Sequence, residues 1–367
     1  MKASLTRESG AARPERPLTL VRPAESARDG FAMTPWGEGL PIWRTALGRL
    51  PGASFYHSET WIDAIATAYK LKLEVATLQR QGQLRAAAVF ARSKKLFSTR
   101  LVSLPFSDSA VPLATDDESR AELLCEVIDS YPNASIEVRG IAGPQPWQNV
   151  ECFAQWSLDA TRPFDQVRKD FGRTVKNGIN RATRDEIAVE CGLEPSHLAR
   201  FFDLQLVTRR RLGVPPQPYR FFETVREHFC RGGNIEIWLA SLNGRDHAAI
   251  VLLRAGNQLC VKWSARAENS HPSAVHFLSV KMVEAHAGNG ETFDFGRCDT
   301  RNVGLARSKA DLGCVSRPAP YAFYPKAPAN ISSEVLSGSA KTLSSIWKRM
   351  PLPATRVLGN VIYRFMA

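Results

Sequence analysis

Apolar and polar residues alternate along the chain in two rhythms, one with helical spacing and one with strand spacing. Folded pattern begins near Phe55. Ser58 suits a helix N-cap, and Trp61, Ile62 and Ile65 follow at helical spacing. In chain order, the first half is predicted to contain a helix over 59–71, strands over 73–80 and 84–92, a strand and Pro-rich loop over 101–114, a helix over 118–130 and a strand over 135–140.

The second half begins near Pro163 and repeats a similar rhythm. Its first helix is strongly basic, and Gly172 is expected to break it. Three consecutive strands with short turns between them predict an antiparallel meander. In chain order, the predicted elements are the basic helix over 164–186, a strand over 187–192, helices over 195–212 and 219–230, the three strands over 234–241, 248–255 and 258–265, a helix over 273–287, a strand over 291–296, a helix over 303–312 and a last strand over 319–324.

This order of elements predicts an α/β (α+β) protein with two consecutive units. We place the first unit at residues 31–158 and the second at 159–327, each with a mixed, mostly antiparallel sheet flanked by helices. Residues 1–30 are interpreted as a mobile tail, and residues 328–367 as a basic amphipathic tail. No internal sequence repeat supports the similarity of the two halves.

Composition places the chain among ordinary globular proteins. It has 367 residues, of which 44% are hydrophobic and 23% charged, enough for two domains with a sizeable core. No apolar run approaches the ~20 residues that span a bilayer, and the N-terminus lacks the apolar stretch of a secretory signal. The seven cysteines form no C-x-x-C pair, which indicates a reducing cytosol and predicts no metal site.

Charge points to anionic partners. The formal net charge of +12 favours nucleotide phosphates, tRNA or anionic lipid head groups. The tail after Pro328 predicts two short helices broken at Pro351 and Pro353, which either adsorb to an anionic membrane or pack on the core. One apolar face is predicted for Leu343, Ile346, Trp347 and Met350, another for Val357, Leu358, Val361, Ile362 and Phe365, with Lys341, Lys348, Arg349, Arg356 and Arg364 opposite.

Several segments, in the right order over about residues 50–325, resemble the FemAB family, including members found with bacterial exopolysaccharide and envelope-export systems. They include SFYHSETWIDAI, LVSLPFSDSAVPL, KNGINRATRDEIAVECG and FFDLQLVTRRRLGVPPQPYRFFETV. The most specific is ETFDFGRCDTRNVGLARSKADLGC, a strand followed by a small-residue loop and a Lys-bearing helix. The resemblance implies two tandem GNAT-like domains and transfer of an acyl or aminoacyl group to an amine. The best-known members use aminoacyl-tRNA and peptidoglycan precursors.

The chain departs from the family in two places. The family's Phe-Lys pair is Ser308-Lys309 here, and no insertion is long enough for a coiled-coil arm. The glycine loop that binds CoA in other GNAT enzymes is also missing, because residues 264–272 read SARAENSHP. The acyl donor is therefore either aminoacyl-tRNA or acyl-CoA, and the sequence leaves both open.

The resemblance also nominates catalytic residues. In the family, the lysine of the final helix lies near the reacting carbonyl, which implies that Lys309 stabilises the developing oxyanion; the alternative is a solvated helix lysine. Asp294 should lie on the opposite strand face from Phe293 and Phe295. It is expected either to pair with a nearby arginine or to orient the acceptor amine.

Substrate-binding candidates lie in both halves. Arg297, at a strand end, suits a phosphate or carboxylate. Thr208 and Arg211 resemble the family's Thr-x-x-Arg element, which implies a phosphate contact, although a solvated charge run is the alternative. Candidates for the acceptor pocket are Ser107, Asp108 and Trp61, with an Asx-turn and a core tryptophan as the alternatives.

These observations predict an acyl or aminoacyl transferase acting on an amine of an anionic cell-envelope or exopolysaccharide precursor. We expect it in the cytoplasm, with peripheral contact to the inner membrane through its tail. Two alternatives are an acyl-CoA-dependent N-acetyltransferase acting on a small amine or amino sugar, and a non-catalytic basic scaffold.

Overall fold

A computed structural model describes residues 30–95, 98–328 and 338–366. The predicted N-terminal tail lies outside these residues, apart from Gly30, which begins the first strand. Strands are β1 (Gly30–Pro35), β2 (Lys72–Arg80), β3 (Gln83–Lys95), β4 (Ser98–Ser103), β5 (Leu113–Ala114), β6 (Ala134–Arg139), β7 (Gln148–Val150), β8 (Phe153–Asp159), β9 (Ala188–Gly192), β10 (Ile235–Leu242), β11 (Arg245–Ala255), β12 (Gln258–Arg266), β13 (Thr292–Asp299), β14 (Val315–Pro318) and β15 (Tyr321–Tyr324). Helices are α1 (Trp36–Arg49), α2 (Glu59–Tyr69), α3 (Asp117–Ser130), α4 (Phe164–Val167), α5 (Arg173–Arg184), α6 (Pro195–Leu212), α7 (Tyr219–Cys230), α8 (Ala274–His286), α9 (Val303–Asp311), α10 (Gly338–Arg349) and α11 (Leu352–Met366).

Two mostly antiparallel sheets, each flanked by helices, confirm the predicted fold class. The first has the order β1-β2-β3-β4-β6-β15-β7, with β5 beside β3. The second has the order β14-β8-β13-β12-β11-β10-β9. The predicted meander is confirmed as β10, β11 and β12, which pair antiparallel. The parallel pairs are β4 with β6 in the first sheet and β12 with β13 in the second.

When the chain is divided at residue 158, as predicted, two strands join the sheet of the other half. β8 pairs with β13 in the second sheet, where Trp156 and Leu158 join that sheet's core. β15, expected as the last strand of the second half, pairs with β6 and β7 in the first sheet. Its residue Ala322 is fully buried in the first sheet's core. Alternation of residues identifies a strand but does not identify the sheet it joins.

Ordered structure starts earlier than the sequence pattern predicts. β1 and α1 precede Phe55, and α1 buries Trp43. The sequence of α1, WGEGLPIWRTALGR, contains three glycines and Pro41, which weaken helix propensity and obscure the pattern. The expected break in the basic helix is confirmed, because α4 ends at Val167 and α5 begins after Gly172.

A core shared by both halves lies between the two sheets. Trp61 and Ile65 of α2 belong to the same buried cluster as Phe221 and Phe222 of α7 and Val251 of β11. Ser58 caps α2, as predicted, by accepting a hydrogen bond from the Trp61 backbone N–H. The halves are therefore joined by a continuous apolar contact.

Both helices of the C-terminal tail contact α6. Trp347 is buried while its neighbour Ile346 is 55% exposed, so the apolar face predicted for α10 is divided between core and solvent. Val357 and Leu358 of α11 are also exposed. The side chains of Lys341, Leu343, Val361, Ile362, Arg364 and Phe365 lie outside the described part of the chain. Among described residues, no helix has the length and apolar character needed to cross a bilayer.

Candidate functional site

The second sheet opens between two of its interior strands. β12 and β13 pair in parallel only as far as Cys260 and Asp294, and then separate. Each strand has a bulge at this point, at Lys262 in β12 and after Asp294 in β13. Beyond the fork, Trp263 is half-buried and Ser264 is exposed, although their strand is interior. The opening therefore gives access to the middle of the sheet.

A loop from the first half reaches into this fork. Asp108, on the loop after β4, accepts hydrogen bonds from Tyr56 Oη at 2.9 Å and the Arg297 backbone N–H at 3.4 Å. The loop holds Leu104 and Phe106 at positive φ, a strained conformation for such residues. Gly296, at φ +73°, leaves room for the carboxylate, since a Cβ there would lie 3.0 Å from Asp108 Oδ2.

Lys309 is buried beside the fork, which excludes the solvated alternative. Its side chain is 7% exposed, and its ammonium donates to the carbonyl oxygens of Gly296 at 2.9 Å and Arg297 at 3.2 Å. Burial lowers the pKa of Lys309, against the opposing effect of nearby acidic groups that include Asp108. An ammonium has three N–H donors, so two carbonyl contacts leave one for a ligand.

Asp294 lies on the face of β13 opposite Phe293 and Phe295, whose side chains join the second core. Its partners are the Gln155 side-chain amide and the Gly296 backbone N–H, rather than the expected arginine. Burial, reinforced by the charge of Asp108, raises the pKa of Asp294 to about 6. A carboxyl group with this pKa can exchange a proton near neutral pH.

The Arg297 side chain contacts other side chains of the protein. Its guanidinium donates to Tyr321 Oη at 2.6 Å, lies 3.6 Å from Asp108 Oδ1 and packs 4.1 Å from the centre of the Phe153 ring. Tyr321 belongs to the exchanged strand β15. Arg297 thus links both sheets, and its role as a phosphate or carboxylate ligand stays a prediction.

The other predicted residues fall into two groups. Ser107 and Trp61 are buried next to the fork, where the Trp61 indole donates to Ser107 Oγ at 2.8 Å. Thr208 and Arg211 lie at the opposite end of β12, where Thr208 binds both backbone groups of Arg266. Burial and the charge of Arg266 lower the pKa of Arg211. Six residues of strand, roughly 20 Å, separate Arg266 from Cys260.

Lys262, Gln155 and Tyr321 belong to the site but were missed by sequence reasoning. The Lys262 ammonium donates to Phe106 O at 2.8 Å and lies 4.8 Å from the ring centres of Tyr56 and Trp61. The sequence did offer a signal, a lysine or glutamine inside an apolar strand. Burial of such a side chain costs free energy unless it has a hydrogen-bonding or charged partner. Among described residues, no cluster of three or more potential metal ligands occurs.

The loop from β12 to α8 is bonded around His271. The N–H of Ser273 binds His271 Nδ1, the N–H of Ala274 binds His271 O, and the N–H of His271 binds His247 Nδ1. A pyrophosphate needs such N–H groups to point outward. Three N–H groups of this loop are used inside the protein, and the loop lacks the glycine pair of a CoA-dependent GNAT enzyme.

Comparison with known proteins identifies the fold. Residues 169–302 match the family model of the acetyltransferase (GNAT) domain. FemX aligns over 84% of this chain and 98% of its own, at 13% identity and a TM-score of 0.60. No curated protein matches the sequence.

Two further solved structures share this fold. The C-terminal domain of a putative lysylphosphatidylglycerol synthetase from Agrobacterium fabrum covers 79% of this chain and 93% of its own, at 13% identity and TM-score 0.50. A Bacteroides thetaiotaomicron protein of unknown function covers 77% and 96%, at 11% identity and TM-score 0.52. Residues 169–302 are thus a GNAT-type transferase domain within a chain that has the fold of FemX.

Proposed function

We propose that this protein transfers an acyl or aminoacyl group to an amine of a cell-envelope or exopolysaccharide precursor. The observation that carries the proposal is the buried ammonium of Lys309 beside the fork of β12 and β13. A cation in a dry site stabilises an oxyanion far more than one in water. The resemblance to the FemAB family independently assigns this lysine the same task.

The reaction requires few groups. The amine nitrogen attacks the acyl carbonyl carbon, and the free N–H of Lys309 stabilises the oxyanion. Collapse then breaks the bond to the leaving oxygen or sulfur. The amine loses one proton and the leaving group gains one. Asp294, whose pKa is raised to about 6, suits a role in accepting or positioning that proton.

Aminoacyl-tRNA is the donor that we favour. The loop before α8 has no glycine pair for the pyrophosphate of CoA, and part of its backbone is bonded within the protein. In addition, α5 exposes a row of basic residues that suits a polyanionic backbone. These are Arg173, Lys176, Arg181 and Arg184. One structural relative is the C-terminal domain of a putative lysylphosphatidylglycerol synthetase, a name that also points to aminoacyl transfer.

The acceptor is expected at the cytoplasmic face of the inner membrane. The exposed side chains of Ile346, Val357 and Leu358, with Lys348 and Arg349 nearby in sequence, suit an anionic lipid surface. Sedimentation with vesicles containing phosphatidylglycerol, but not with pure phosphatidylcholine vesicles, is the expected result. Equal binding to both, or to neither, would remove the tail from the proposal.

The test is transfer from labelled aminoacyl-tRNA to membrane-associated precursors, with acetyl-CoA assayed in parallel. Lys309→Met should lower kcat by about 100-fold or more, because it removes a preorganised donor to the oxyanion. Lys281→Met is the matched control, since the Lys281 side chain is 42% exposed and contacts Glu284 and the Phe277 ring, away from the fork. Transfer from acetyl-CoA alone would establish the N-acetyltransferase alternative. Cellular function that survives in the Lys309→Met variant would establish the alternative of a non-catalytic scaffold.

A further inference from the structure

We propose that Lys262 is a positioning residue of the transferase site, which fixes the loop of the first half so that the peptide at residues 296–297 holds Lys309. Lys262 has no place in the proposed reaction, and its catalytic consequence rests on the proposed function. The placement of Lys309 can be measured without any substrate.

The bulge in β12 directs this side chain. Val261 pairs with Leu252 and Trp263 pairs with Val251, so Lys262 is the extra residue without an opposing partner. A bulge re-aims the side chain that it carries. Lys262 leaves the strand at the fork and crosses to the first half of the chain.

The contacts of Lys262 are with a single loop and its supports. Its ammonium donates to Phe106 O and lies over the rings of Tyr56 and Trp61. Phe106 has φ +64°, so this hydrogen bond falls on a strained peptide segment. Such strain persists only where the surroundings fix it. Lys262 therefore helps to hold this conformation, together with the hydrogen bonds from Trp61 and Arg139 to Ser107.

Asp108, two residues after Phe106, is the next link. Burial alone would raise the pKa of Asp108, but attraction to Lys262 and then Arg297 lowers it below its ordinary value. The charged carboxylate binds the Arg297 backbone N–H from one side. The Gly296 carbonyl, on the other side of the same peptide, accepts a hydrogen bond from Lys309 at 2.9 Å. The peptide that carries both groups is thus held between Asp108 and Lys309.

This sequence of contacts explains why the site needs both halves of the chain. Lys309 and its two carbonyl partners lie in the second half, yet the Asp108 carboxylate that binds the 296–297 peptide comes from the first. Without Lys262, the half-buried carboxylate of Asp108 would lose the cation that attracts it most. The loop would relax, and Lys309 would lose its fixed position.

The substrate-free test is the rate at which an amine-reactive reagent, acetic anhydride, labels Lys309, followed by site-resolved mass spectrometry. In Lys262→Met, Lys309 should be labelled about fivefold faster than in the wild type, as expected for a modest loss of local stability. Lys281→Met, at an exposed lysine, should leave the rate unchanged. An unchanged rate in folded Lys262→Met overturns the proposal. If that variant does not fold, Asp108→Asn decides by the same criterion.

The catalytic test follows the kcat and KM of transfer. Lys262→Met should lower kcat by about 100-fold with KM little changed, because misplacement by about 1 Å has this effect. Equal loss of kcat in Lys262→Met and Lys281→Met, or a change in KM alone, would overturn the positioning role. Faster labelling of Lys309 in a protein that transfers nothing would retain the positioning role and reject the proposed function.

Discussion

At the scale of single residues, Asp294 makes stability depend on pH. Its folded-state pKa of about 6 lies above the ordinary value of 3.8, mainly because of burial. A raised carboxyl pKa means that the folded state favours the neutral acid. The stability contribution is thus complete below the unfolded pKa and is lost as pH rises through 6.

Asp294→Asn removes this titration while keeping an oxygen for the Gln155 and Gly296 donors. As pH rises from 5 to 8, the stability of the variant relative to the wild type should increase by roughly 1–2 kcal/mol, measured by urea unfolding at both values. Asp116→Asn is the control. Bonds from Ser119 and Thr115 lower the pKa of Asp116 to about 2, so it should give no pH dependence in this range. A pH-independent difference for Asp294→Asn would contradict a buried, titrating carboxyl.

At the scale of elements, a buried polar cluster holds α8 against the second sheet. His286, the last residue of α8, bridges Glu291 Oε2 and Glu236 Oε2 at 3.0 Å each. Arg254 contacts both carboxylates, and the Trp238 indole donates to Glu236 at 2.8 Å. Burial would raise the pKa of Glu236, but the bonds from His286 and Trp238 bring it below its ordinary value.

Removal of the imidazole should leave the buried Glu291 and the half-buried Glu236 with too few donors. His286→Ala is expected to cost about 2–4 kcal/mol of unfolding free energy. His228→Ala, which loses one bond to the Thr224 carbonyl, should cost about 1 kcal/mol or less. The double variant His286→Ala with Glu236→Gln should recover about 1 kcal/mol. Additive losses would show that the carboxylates do not repel one another.

The sequence predicts most elements of the second half because their hydrophobic periods are long and regular. It also identifies Asp108, Asp294 and Lys309, which the structure brings to one fork. Lys262 is not predicted as a site residue. A one-residue bulge changes the direction of a strand side chain without changing the hydrophobic pattern. The sheets that β8 and β15 join are not predicted either, for another reason. Strand periodicity describes which face is buried, not which sheet receives the strand.

At the scale of the whole molecule, the exchanged strands and the shared core make each half depend on residues of the other. β15 pairs with β6 and β7, and Ala322 is fully buried in the core of the first sheet. This core otherwise consists of residues earlier than 148 in the chain. A defect in β15 should therefore be felt in the first half, far from it in sequence.

Ala322→Glu tests this dependence by burying an unpaired charge, at a cost of roughly 3–5 kcal/mol. Hydrogen exchange followed by mass spectrometry should show faster exchange in β4 and β6, at residues 98–139, as well as in β15. Ser316→Glu is the control, because β14 is exposed and pairs only with β8 in the second sheet. If exchange increases only over residues 315–328, the last strand is dispensable to the first sheet. If exchange also increases in β4 and β6, the first sheet depends on a strand from the end of the chain. The loop after β4, which carries Asp108 to the Arg297 backbone N–H, then depends on both halves.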